Sequence, residues 1–137
     1  MSDKISINWK ENMAFEADAD NHKYMIDASV EGGGSDLGMR PKKLMLIALA
    51  GCSGMDVISI LKKMKIEPAS FDVKVEGELT EEHPKHYISM HIIYEFSGDN
   101  LPLEKLQRAV ELSEERYCGV WAVYKKIMPV TWEIVIL

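Results

Sequence analysis

The sequence predicts an α+β fold, with antiparallel strand blocks wrapped around a buried central helix in the order βββ–α–ββ–α–α–β. Three observations carry that reading. Segments of alternating polarity open the chain, return after Pro68 and close it, the period-two mark of half-buried strands. Between the first two blocks lies Leu44 to Leu61, LMLIALAGCSGMDVISIL, which is apolar on every side of a helix. At 137 residues, 47% hydrophobic and 28% charged, the chain reads as one globular domain, 1–137.

Each element follows from its residues. Ile5, Ile7 and Trp9 share one face of the first strand, Met13, Phe15 and Ala17 one face of the second. In the third, Tyr24, Ile26, Ala28 and Val30 alternate with Lys23, Asp27, Ser29 and Glu31. Lys10-Glu11-Asn12 and Ala19-Asp20-Asn21-His22 suit hairpin turns. EGGGSDLGMRP reads as a flexible loop, and its Pro41 suits the first turn of a helix running to about Met64, before Pro68. FDVKVEGEL puts Phe71, Val73 and Val75 on one side; HYISMHIIYEF does the same for Ile88, Met90, Ile92, Tyr94 and Phe96. Asp99 or Asn100 can cap a helix through LPLEKLQRAVELSEERY, with Leu103, Leu106, Val110 and Ser113 inward. A short helix from about Gly119 to Met128 stops at Pro129, and Val130, Trp132, Ile134 and Ile136 form the closing strand.

Charge and composition narrow the function. A net charge of −6 without a basic stripe argues against nucleic acid. No apolar leader opens the chain, and two cysteines fit a reducing compartment, so a cytoplasmic protein is expected. The central run has the length of a minimal membrane span, but Asp56 near its middle would cost about 2.5–3.5 kcal/mol in a bilayer. A core helix is the better reading. One sheet covers only one side of such a helix. Ala48, Gly51, Cys52 and Gly54 would let a second backbone approach, which predicts a homodimer packed helix to helix.

Few residues suit chemistry. The glycine loop lacks the lysine of a phosphate-binding loop, since Met39 stands where it would be, although Arg40, Lys42 and Lys43 could attract an anion. His83 and His86 lie in a turn with no cysteine nearby, and His91 faces solvent on its strand. Cys52 and Cys118 remain, either as small buried apolar groups or as reactive thiols. Cys52 lies about 16 Å along its helix from Pro41, beyond the reach of the helix dipole. Asp56, one turn on, opposes ionisation there. A reactive Cys52 would need a cation from elsewhere, for which an arginine is suited, and the chain has three: Arg40, Arg108 and Arg116. Cys118, at a helix start and two residues after Arg116, has the better local support for a thiolate.

PKKLMLIALAGCSGMDVISILKKMKI together with AVELSEERYCGVWAVYKKI resembles the OsmC/Ohr family of osmotically induced and organic-hydroperoxide-resistance proteins. The resemblance implies an intertwined homodimer with active sites at the subunit interface. It also implies a peroxidatic role for Cys52, a resolving role for Cys118, and a dithiol reductant such as a lipoylated protein. The substrate would be an organic or lipid hydroperoxide, and no metal or bound cofactor is needed. Two features mark a divergent branch. Pro41-Lys42-Lys43 stands where the peroxidases carry a glutamate, and no arginine precedes Arg40. Arg40 and Arg116 are the possible substitutes for the activating cation. The alternative is a non-catalytic dimer that binds a small apolar or anionic ligand at its interface.

Overall fold

Two tight turns built on residues that accept left-handed backbone shape the first sheet. β1 (Ser6–Glu11) reverses at Asn12, φ 48°, into β2 (Ala14–Ala19), which reverses at Asp20 and Asn21, φ 52° and 62°, into β3 (His22–Ile26). Paired positive-φ residues match the twist of the flanking strands, and Asp and Asn tolerate that conformation. The order is β1-β2-β3, antiparallel throughout. A register shift between Trp9 and Glu11 places one extra residue in β1; in β2 Ala14 and Ala17 are buried from opposite faces, Phe15 is half-buried, and Met13 sits exposed in the turn. The structure, a computed structural model, describes residues 1–137 in two compact units, Met1–Met45 and Leu46–Leu137.

The alternation that predicts a strand through Val30 outruns the strand itself. β3 stops at Ile26 because the buried Asp27 carboxylate diverts the backbone: it accepts the N–H groups of Ala28 (2.7 Å), Ser35 (3.1 Å) and Leu37 (3.1 Å). The glycine-rich segment is therefore a fixed loop and not a flexible one. A Cβ on Gly34 would lie 2.3 Å from the Ala28 carbonyl oxygen, and one on Gly38 would lie 2.0 Å from that of Met25. Met39 closes the loop by bridging to Ile26.

α1 (Lys43–Lys63) begins after a turn through Arg40–Lys42 and ends when Lys65 takes φ 60°. The Ile66 N–H then reaches the Leu61 carbonyl, closing the last turn around a left-handed residue. Leu49, Ser53, Val57 and Leu61, spaced four apart, form its buried stripe. Ile47 and Met55 stay 49% and 73% exposed, so one protomer covers one side of this helix only. By length and composition it could cross a membrane. Its buried stripe instead packs within the fold through a serine.

The second sheet has the order β4 (Ser70–Leu79), β5 (Tyr87–Ser97), β6 (Val130–Ile136). β4 and β5 are an antiparallel pair; β6 returns parallel to β5 after a long crossover through two helices. Met90, Ile92, Tyr94 and Phe96 fill the core as the alternation predicts. A register shift after Glu78 turns Tyr87 inward and leaves Ile88 48% exposed, against expectation. Phe71 stacks on Phe96 at 4.5 Å between centroids. α2 (Leu103–Leu112) starts at Pro102, not under an Asp99 or Asn100 cap, and turns Leu106, Ala109 and Val110 inward while Leu103 stays out. A π-helical turn over Ser113–Tyr117 and the short α3 (Gly119–Tyr124) complete the crossover.

Candidate functional site

Cys52 and Asp56 lie one turn apart on the same face of α1, and Cys118 caps the N-terminus of α3. The fold brings all three together: their ligand atoms, two Sγ and one carboxylate oxygen, lie within 4.8 Å of one another. Both cysteines are free thiols, Cys52 half-buried and Cys118 only 2% exposed. The π turn makes this meeting possible. Its wider winding ends with the Cys118 N–H on the Ser113 carbonyl, 2.9 Å away. Such turns often mark functional positions.

A chain of buried hydroxyls supports the trio. Ser113 Oγ donates to Asp56 Oδ2 at 2.9 Å. Its one proton is thereby used, so Ser53 Oγ donates to Ser113 Oγ (2.9 Å) and Tyr94 donates to Ser53 Oγ (2.6 Å). Burial pushes the Tyr94 hydroxyl well above the ordinary phenol range, although the bond to Ser53 partly offsets that. Tyr94 therefore keeps its proton and acts as a donor. The sequence did not single out Ser53 or Tyr94. The signal was present in Ser53, the lone hydroxyl in the stripe Leu49, Val57, Leu61, because a hydroxyl buried there must find a partner.

The electrostatics correct one expectation. Burial pushes the Cys118 thiol up to about 12 and outweighs the N–H groups of Trp121 and Val120, which favour the thiolate; the adjacent Cys52 raises it further. Trp121 N–H donates to the sulfur at 3.3 Å. Position at a helix start does not make Cys118 the better-supported thiolate. Two of the three candidate cations are engaged with carboxylates. Arg116 is exposed on the π turn. Arg40 is committed within its own unit, to Asp36 Oδ1 and the Gly38 carbonyl, both at 2.8 Å. Arg108 pairs with Glu111 at 3.6 Å. The glycine loop holds the Asp27 carboxylate, and His91 bonds Thr131 and Glu133 on the exposed side of its strand.

Two adjacent thiols can form a disulfide or, with the carboxylate, hold a metal ion. Beside them a small cleft of about 130 Å³ is lined by Asp56, Ser59, Ile60, Lys63 and Tyr117. Residues 32–133 match the OsmC-like protein family. The chain belongs to that family. Protein YhfA of Escherichia coli strain K12 is 31% identical over 126 residues, covering 91% of each chain. A hypothetical protein from Aquifex aeolicus superposes with a TM-score of 0.83 at 27% identity, over 100% of this chain and 98% of that one. An organic hydroperoxide resistance protein OsmC from Legionella pneumophila shares the fold, with a TM-score of 0.71 at 14% identity over 98% and 97% of the two chains. In this OsmC-like chain one cysteine lies on α1 and the other caps α3, and Lys42 and Lys43 flank the start of the central helix.

Proposed function

We propose that this OsmC-like protein is a cytoplasmic, homodimeric thiol peroxidase that reduces organic or lipid hydroperoxides in oxidative-stress defence. The observation that carries the reading is the adjacency of Cys52 and Cys118, two free thiols that the chain brings together from distant segments. The half-buried Cys52 suits attack on a peroxide, and the sealed Cys118 suits the second step. The Cys52 sulfur attacks the hydroperoxide and breaks the O–O bond; the thiol becomes a sulfenic acid and the substrate leaves as its alcohol. The Cys118 thiol then attacks the sulfenic sulfur, forms the disulfide and expels water. An external dithiol, such as a lipoylated protein, takes the oxidation over by exchange and restores both thiols. The redox and stress role also accords with the family, some of whose members are named organic hydroperoxide resistance proteins.

The test is stoichiometric cumene hydroperoxide on the reduced protein. Intact mass should fall by two hydrogens, and peptide mapping should place the link between Cys52 and Cys118. Before oxidation, iodoacetamide at pH 8 should label Cys52 ahead of Cys118, because Cys118 is both sealed and hard to ionise. Cys118→Ser should trap the sulfenic acid on Cys52. If both thiols stay alkylatable after peroxide, the chain is the non-catalytic dimer that binds a small apolar or anionic ligand. Lys42 and Lys43, standing where the peroxidases carry a glutamate, and the absence of an arginine before Arg40 favour that second reading.

A further inference from the structure

We infer that Cys52, Asp56 and Cys118 form a binding site for a thiophilic divalent metal ion, zinc in particular, at which metal and peroxide compete for the same sulfurs. The argument starts from spacing. Two ligands at i and i+4 lie on one face of a helix, and α1 presents Cys52 and Asp56 that way. The third ligand comes from outside α1: Cys118, the residue that caps the N-terminus of α3. A tetrahedral zinc, with sulfur at roughly 2.3 Å and carboxylate oxygen at roughly 2.0–2.2 Å, needs these donors some 3.5–3.8 Å apart. The three atoms already lie within 4.8 Å of one another, so small side-chain rotations complete the set.

The surroundings suit a metal ligand. A coordinating carboxylate works best when a neighbour fixes it, and Asp56 Oδ2 receives the Ser113 hydroxyl, which is itself backed by Ser53 and Tyr94. One accepted hydrogen bond leaves the carboxylate with acceptor capacity for the ion. Cys52 and Asp56 are half-buried, so an ion can enter, and the cleft bordered by Asp56 and Tyr117 has room for a fourth ligand, a water. Three protein ligands with a water in the fourth position is an established zinc arrangement, unlike the closed four-ligand set of structural sites. Binding displaces the two thiol protons to solvent and leaves both sulfurs as metal-bound thiolates. Sulfur held this way is withdrawn from alkylation and from peroxide, so zinc would act as a reversible cap on the pair.

Cobalt(II) titration of the reduced, full-length protein tests this. One equivalent per chain should produce a sulfur-to-cobalt charge-transfer band in the near ultraviolet and tetrahedral bands in the visible, all erased by one equivalent of zinc. Cys52→Ser and Cys118→Ser should each diminish the charge-transfer band. Asp56→Asn should weaken binding and alter the visible bands. Ser113→Ala, which leaves all three ligands in place, should weaken binding about 10–100-fold. Circular dichroism of each variant checks that it folds. The inference falls if the wild-type chain shows no charge-transfer band at stoichiometric cobalt. It falls equally if Asp56→Asn binds as the wild type does. Neither readout uses peroxide, so metal binding without disulfide formation, or the reverse, separates this inference from the peroxidase reading.

Discussion

Ser53 shows how much one hydroxyl can commit a fold to. It sits fully buried in a stripe otherwise made of Leu49, Val57 and Leu61, accepts from Tyr94 and donates to Ser113. Removing one member of such a chain costs more than removing two that served each other, since the first leaves a donor buried without a partner. Ser53→Ala should therefore lower stability by about 1–3 kcal/mol, through the stranded Tyr94 hydroxyl. Adding Tyr94→Phe should restore part of that loss. Urea unfolding of the two single variants and the double gives the coupling directly. Additive losses would mean that the chain does not act as a unit. Ser113 is the link between this network and the thiols, because it holds Asp56 one turn from Cys52.

At the scale of elements, periodicity showed where strands form and failed where one side chain overrides the pattern. Met90, Ile92, Tyr94 and Phe96 were legible because a buried strand face leaves a period-two record. Ala28 and Val30 continue the same record, yet Asp27 ends the strand by capturing three N–H groups, an event no alternation encodes. The π turn was equally hidden, since Ser113–Tyr117 reads as an ordinary polar helix end. The Asp27 loop yields a pH prediction. Burial alone would raise this carboxyl, but the N–H groups of Leu37, Ala28 and Ser35 and the Arg40 guanidinium hold it below the ordinary value of 3.8. A depressed folded-state value means that the loop's stabilisation is complete above about 3.8 and is lost as pH falls through the folded value. The amide resonances of Ser35 and Leu37 should titrate together with a midpoint below 3.8. Asp27→Asn should abolish that titration. A midpoint at or above the ordinary value would show that the carboxylate is not the loop's anchor.

For the molecule as a whole, element order and family were both legible, because the two cysteine segments and the strand blocks are local patterns. The closeness of Cys52 and Cys118 was not, since it depends on how a crossover returns to α1. The cover for the outer face of α1 lies in between: the sequence predicts a second copy, and the protomer leaves that face bare. The two glycines of the helix separate here. A Cβ on Gly54 would meet Val73 Cγ2 at 3.3 Å, so that glycine serves the sheet. A Cβ on Gly51 would meet nothing within 4 Å, and an open apolar groove of about 400 Å³ runs past it between Met55, Ile58 and Phe71. Gly51→Leu should thus be harmless to an isolated protomer, and helix propensity alone favours it by about 0.5–1 kcal/mol. If two α1 helices meet at this glycine, the added side chain pushes them apart. Sedimentation equilibrium should then give twice the 15.5 kDa chain mass for the wild type and a single chain for Gly51→Leu, with circular dichroism unchanged. A wild-type protein that sediments as one chain would remove the homodimer. A Gly51→Leu protein that stays paired would move the contact to another face.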